Sequence, residues 1–233
     1  MRYTTLFTSS ILLAALSAFA AKQKEPVIRK EMRGKTEYMF INGIKVHEAD
    51  PKKQPQPKVV KPKPYDAEAA KPPKNAIVLF DGTEETVSNW VAGNGKPTKW
   101  KLVDGSLESV RGGGYLISKQ EFGSCRLHVE FATPKVAKGN GQGRGNSGVF
   151  LMGQYEIQVL DSYNNVTYPD GQCGALYGRA KPLVNASRGP GEWQTYDVTF
   201  NRPTFDDKGK VTRKAKFHVV HNGHVIHDNH ELS

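Results

Sequence analysis

The run Tyr155-Glu156-Ile157-Gln158-Val159-Leu160-Asp161 sets a carboxylate, an amide and a second carboxylate among apolar residues. Such polar groups cost free energy in a strand unless they meet water, partners or a ligand. Strand alternation puts Glu156 and Gln158 on one face, about 6 to 7 Å apart, with Tyr155, Ile157 and Val159 turned to the core. Asp161 falls on the opposite face unless a bulge at the Val159-Leu160 doublet realigns it. A carboxylate in this setting can act as general base or acid, or as a ligand for an oxygen-preferring divalent metal. Glu156 is the first catalytic candidate and the candidate metal ligand, and Asp161 is the second catalytic candidate.

Other patterns that could carry chemistry flank this run. Arg126-Leu127-His128-Val129-Glu130-Phe131 alternates, with Leu127, Val129 and Phe131 facing the core and Arg126, His128 and Glu130 facing away. His128 and Glu130 are acid/base candidates if that face is concave, and members of a cross-strand polar ladder if it is the outer one. The glycine-rich loop from Gly139 to Gly145 has no helix after it, which argues against a phosphate cradle. It reads as a flexible rim that carries Arg144 over a pocket. Tyr163, Tyr168, Tyr177 and Trp193 could offer ring faces to a ligand or simply pack, and Asp170, after Pro169, caps a turn. Five of the seven histidines cluster at His218, His221, His224, His227 and His230. Asn222-Gly223 reads as a hairpin turn, so His221 and His224 are expected to flank it and face solvent, against a shared metal. Cys125 and Cys173 allow a disulfide that closes a loop of about 48 residues and contributes roughly 4 kcal/mol, or two buried thiols. The lack of a CxxC pattern argues against zinc or thioredoxin chemistry.

These groups need a scaffold, and the chain divides into three parts. Residues 1–20 read as a signal peptide, with Arg2, an apolar centre from Ile11 to Ala18 and an Ala18-Phe19-Ala20 cleavage site. The apolar run is shorter than the about 20 residues of a spanning helix. No transmembrane segment is expected, and the mature protein is expected to be exported, periplasmic or secreted. Residues 21–74 form a Lys/Pro-rich leader or linker, expected to stay extended and disordered. It contains one small hairpin at 38–46 around Asn42-Gly43. The formal net charge of +10 is concentrated in the leader. Lys22 to Lys74 holds 14 Lys and Arg against 7 Asp and Glu, whereas Asn75 onward holds 18 against 16. A nucleic-acid partner is therefore not expected. Residues 75–233 read as short strands: Ala76–Leu79, Trp100–Val103, Ser106–Ser109, Tyr115–Ser118, Arg126–Ala132, Ser147–Leu151, Tyr155–Leu160, Gln194–Asn201, Lys214–Val220 and His224–His227. Their turn residues suggest an all-β sandwich or jelly roll.

The order of motifs in this third part is similar to one known family. Leu79-Phe80-Asp81-Gly82-Thr83 is followed by Trp90, Asp104-Gly105-Ser106-Leu107 and Tyr115-Leu116-Ile117-Ser118. Then come Val129-Glu130-Phe131, Asn146-Ser147-Gly148-Val149-Phe150, Tyr155 to Asp161, Ala175-Leu176-Tyr177-Gly178 and Pro190-Gly191-Glu192-Trp193. Together they resemble the 3-keto-disaccharide hydrolase family, also described as 3-keto-glucoside lyases and hydratases. The resemblance implies a concanavalin-like jelly roll that acts on glycosides oxidised at the third carbon of the sugar. Family members usually continue beyond the Asn222-Gly223 hairpin, so the chain reads as C-terminally truncated, with its last strand missing.

The resemblance also implies a chemistry: cleavage of 3-keto-glycosides by hydrolysis, or by elimination followed by hydration. A ketone acidifies the neighbouring C2 proton, so a base and an electrophile for the enolate oxygen suffice. Glu156 would be the base or a metal ligand. Asn146, Gln158, Tyr163 and Tyr177 would hold the sugar, and Arg144 or a divalent cation would polarise the ketone. E-x-Q-x-x-D also resembles the E-x-D-x-x-E of laminarinase-type glucanases. Double displacement, however, needs carboxyls about 5 to 5.5 Å apart, which Glu156 and the shorter Asp161 reach less easily. A non-catalytic carbohydrate-binding module is the main alternative.

Overall fold

The computed structural model describes residues 28–33, 36–41, 44–48, 50, 53–65 and 71–232. The expected signal peptide lies outside these. The chain forms two compact units, Met1–Lys53 and Gln54–Ser233. In the first, β1 (Ile28–Arg33), β2 (Thr36–Ile41) and β3 (Ile44–Glu48) make an antiparallel sheet. The expected hairpin is therefore present as β2–β3, with Ile41 opposite Ile44 and one more strand beside it; Asn42 and Gly43 lie outside the described residues.

The second unit begins with β4 (Lys58–Val59), followed by the short helix α1 (Glu84–Val87), β5 (Trp90–Ala92), β6 (Lys101–Val103), β7 (Ser106–Glu108) and β8 (Leu116–Ser118). Next come β9 (Cys125–Phe131), β10 (Ser147–Leu151), β11 (Tyr155–Val159), β12 (Val184–Asn185) and β13 (Gln194–Asn201). The order closes with β14 (Thr204–Phe205), β15 (Val211–Arg213), β16 (Ala215–His221) and β17 (His224–Leu232). The expected strand at Ala76–Leu79 does not form. Ile77 and Val78 are exposed, and the Leu79 carbonyl accepts bonds from the Asn89 and Trp90 side chains instead of a neighbouring strand. The adjoining Asp81-Gly82-Thr83 is a cap. Asp81 Oδ1 accepts from Thr83 N, Thr83 Oγ1 and Thr86 Oγ1, and Thr83 is the N-cap of α1.

Two layers enclose the core. One is the antiparallel sheet β17-β16-β13-β9. Its inner face follows strict alternation: Tyr196, Val198 and Phe200 on β13, and Ala215, Phe217 and Val219 on β16. The other layer is the β10–β11 hairpin, which adds Leu151, Ile157 and Val159 to the same apolar cluster. Residues 174–177 continue this layer as an antiparallel neighbour of β11, through Gly174 N to Gln158 O, Gln158 N to Ala175 O and Tyr177 N to Glu156 O. The all-β sandwich expected from the strand pattern is the fold observed.

The leader differs from expectation over residues 54–65, which bind the sandwich as a strap. β4 pairs parallel with β12, and Val60 N donates to Asn185 O. Lys63 N donates to Asn222 O, and Tyr65 donates its hydroxyl to Glu130 Oε1 at 2.6 Å. Gln56 Nε2 donates to Thr167 O while its Oε1 accepts from Gln172. A proline-rich stretch needs few intramolecular bonds of its own, so its free backbone groups are available to a neighbouring edge. Cys125 and Cys173 are free thiols. Cys125 pairs with Phe200, whereas Cys173 Sγ meets the Tyr196 hydroxyl at 3.1 Å. The two thiols thus have different neighbours, four residues apart along β13.

Candidate active site

Glu156 is centred on the outer face of the second layer. The register places Phe150 directly opposite it on β10, and Tyr177 flanks it on the other side. Phe150, Glu156 and Tyr177 thus form one row across three chain segments. The next row is Gly148, Gln158 and Ala175, in which the two small residues leave Glu156 room to fold down. A Cβ at Gly148 would lie 2.8 Å from Glu156 Cγ and 2.9 Å from Cδ. The carboxylate is half-buried, and that burial raises its pKa above the ordinary 4.5.

Aromatic hydroxyls stand beside it. Tyr177 and Tyr168 share a hydrogen bond of 2.7 Å between their hydroxyls. Tyr168 is pushed well above its ordinary pKa, first by burial, then by Tyr177, and also by the charges of Asp170 and Glu156. It stays a neutral phenol. Tyr115 meets the Phe150 ring edge to face, with centroids 5.7 Å apart.

Below the row lies an amide network. Gln158 is completely buried and donates to Gln142 Oε1 at 2.9 Å. Gln142 in turn donates to Thr167 Oγ1 and Gly171 O. Asn146 is exposed and anchored through Nδ2 to Gln142 O at 2.8 Å. Of the expected sugar-holding amides, Asn146 therefore reaches the surface. Gln158 does not; it sits beneath and positions Gln142.

Several expected residues lie elsewhere. Asp161 is buried and lies beyond the end of β11, where Val159 and Leu160 both join the core and Asp161 N donates to Arg144 O. It accepts from Arg144 Nε at 2.7 Å and from Tyr163 N. Arg144 and Asp161, expected as the ketone-polarising and second catalytic groups, pair with one another and tie the glycine-rich loop to the end of β11. Tyr163 is exposed, and its backbone joins that pair rather than the Glu156 row. His128 and Glu130 are on the outer face of the opposite sheet, across the sandwich from Glu156. His128 Nδ1 meets Asp197 at 2.7 Å, a bond that raises the histidine pKa, and Glu130 accepts from Tyr65. They form a cross-strand ladder.

His221 also departs from expectation. It is completely buried, with Nε2 3.0 Å from Gln194 Oε1. Burial, with the Arg188 charge, pushes its pKa down to about 3. Among the described residues no group of three or more His, Cys, Asp or Glu side chains converges on a metal position. The donors around Glu156 are phenols and amides, which fit a general base better than the seat of a resident metal.

The reading of residue types missed Gln142, Tyr115 and the role of Phe150. Gly148 was the available signal, since a glycine inside a strand marks the close approach of another group.

Residues 75–233 match the model of the 3-keto-alpha-glucoside-1,2-lyase-like domain, and the chain belongs to that family. A crystal structure of a proposed glycosyl hydrolase from Parabacteroides distasonis ATCC 8503 is similar at 39% identity and a TM-score of 0.68, covering 77% of this chain and 75% of that one. The family and this structural neighbour support a carbohydrate-acting, glycosidase-like function for this β-sandwich. A second proposed glycosyl hydrolase from the same organism shares 16% identity, with a TM-score of 0.47 over 64% of this chain and 70% of that one. Comparison with curated proteins gives no match.

Proposed function

We propose that this protein cleaves 3-keto-glycosides by elimination and hydration, with Glu156 as the base. The observation that carries the reading is the half-buried Glu156 carboxylate, its pKa raised by burial, between Phe150 and Tyr177. A base works best when its pKa approaches the working pH. Glu156 takes the C2 proton, and the electron pair moves toward the ketone oxygen as an enolate. The enolate then reforms the ketone as the C1–O bond breaks, and the leaving oxygen departs with a proton. Water adds across the resulting C1–C2 double bond, so the net change is hydrolysis without any oxidant. The Tyr177 hydroxyl, backed by Tyr168, is the nearby neutral donor for developing negative charge on oxygen. Asn146 holds a sugar hydroxyl.

Family membership supports the substrate class. The engagement of the buried Asp161 carboxylate by Arg144 speaks against double displacement on ordinary β-glucan. The Lys/Pro-rich leader and the apolar Ile11–Ala18 run support an exported protein, which the mass of the mature N-terminus from cells would test.

The decisive assay sets a 3-keto-glucoside against its unoxidised parent, with and without chelator. Release of the aglycone from the oxidised sugar alone is expected. Equal cleavage of both would overturn the reading. Tight binding without turnover would assign the protein to the non-catalytic binding modules.

A further inference from the structure

We infer that the leaving group of the substrate is a flat, apolar aglycone, such as an aryl or arylalkyl group, seated on Phe150 and Tyr115. This rests on the proposed role of Glu156. Directly opposed residues of an antiparallel pair hold their Cβ atoms about 4.5 to 5.5 Å apart. The Phe150 ring therefore begins beside the reacting carboxylate. It is 40% exposed although the inner face of β10 already supplies the core. Tyr115 stands at 87° to it and is 64% exposed. Edge-to-face packing fixes both rings while leaving a broad apolar surface open. Ile117 alternates onto the face of Tyr115 and is 44% exposed, which extends the surface.

The two flanks of Glu156 differ in chemistry. One carries the Tyr177–Tyr168 hydroxyl pair, which matches the hydroxyl-rich keto sugar. The other offers two exposed rings and an exposed isoleucine. A scissile bond above Glu156 has the sugar on one side and the leaving group on the other. A second sugar on the apolar flank would bury hydroxyls with few partners, which is costly. A flat apolar group instead removes ring surface from water.

The test compares methyl, 2-phenylethyl and glucosyl 3-keto-glucosides of both anomeric series. The two alkyl leaving groups differ little in basicity, so KM reports contact rather than leaving ability. The expected KM for the 2-phenylethyl substrate is about 10-fold below that for methyl, the worth of one ring contact. In Phe150→Ala and Tyr115→Ala that ratio should fall toward about 1. Equal KM values in the wild type, tighter use of the glucosyl substrate, or a ratio unchanged in both variants would overturn the inference while leaving the elimination reading intact. If no substrate is cleaved, elimination itself fails. Calorimetric binding of the methyl and 2-phenylethyl ligands to the wild type and Phe150→Ala then decides the aglycone by the same ratio, and no binding of either counts against it.

Discussion

Glu156 occupies the space in which any residue but glycine at position 148 would have its side chain. A Cβ there would lie 2.8 Å from Glu156 Cγ. Gly148 lies in regular strand pairing with Gln158, so its conformation is open to other residues and only this space is reserved. Gly148→Ala is therefore expected to move the carboxylate rather than unfold the sheet. Activity should fall about 10- to 100-fold through misplacement of the base, with thermal stability within about 1 kcal/mol of the wild type. Steady-state kinetics with a thermal melt checks both.

The Arg144–Asp161 pair gives the opposite signature. Removing one partner leaves a buried charge unpaired, so Asp161→Ala is expected to cost about 3 kcal/mol. Turnover per folded molecule should stay within a few-fold of the wild type. A loss of turnover as deep as that from changing Glu156, with stability unchanged, would return Asp161 to the active site.

Acid should weaken the fold through its buried histidines. The folded-state pKa values of His221 and His227 are depressed to about 3 and about 4, mainly by burial. The unfolded chain takes up these protons near pH 6.5, and the folded chain does so only at the lower values. The contribution is thus full above pH 6.5 and is lost as pH falls through 6.5 toward 3 for His221, and toward 4 for His227. Each contributes a slope of up to about 1.4 kcal/mol per pH unit. Urea midpoints between pH 7.5 and 5 should show the slope, and His221→Gln should flatten it.

The strap makes a linked prediction. Removing residues 54–65 deletes the bonds to Asn185, Asn222, Thr167 and Glu130, at a net cost of about 2 kcal/mol, or about 5 °C in Tm. Lys63 lies across Gly223, and the Lys61 carbonyl meets His224 Nε2 at 2.9 Å. The deleted form should therefore also hydrate the His221 hairpin and lose part of the acid sensitivity. An unchanged melt would show that the strap is a passive spacer.

These outcomes bear on what residue types alone reveal here. The alternation of β11 was legible, because Tyr155, Ile157 and Val159 carry the pattern in every second position. So was the shared face of Glu156 and Gln158. The Arg144–Asp161 bond was hidden, since it depends on how a glycine-rich loop closes over a strand end. The burial of His221 and the docking of the leader were misread together. Asn222-Gly223 is the expected turn, with φ of 47° and 78°, yet the strap covers it. A proline-rich composition shows that a segment cannot form its own core, not that it lacks an edge to lie against. Gln142 lacked a clear signal, because most of its partners, Gln158, Thr167 and Gly171, lie 16 to 29 residues away.

The most direct test of the account is turnover of a 3-keto-glucoside by Glu156→Gln across pH. The wild type should lose activity on the acid side with a limb above pH 4.5, set by the raised Glu156 pKa. The variant should fall about 10²- to 10⁴-fold in kcat, lose that limb, and still bind the substrate within a few-fold. Turnover by Glu156→Gln at the wild-type rate, with the same acid limb, would contradict the assignment of the base.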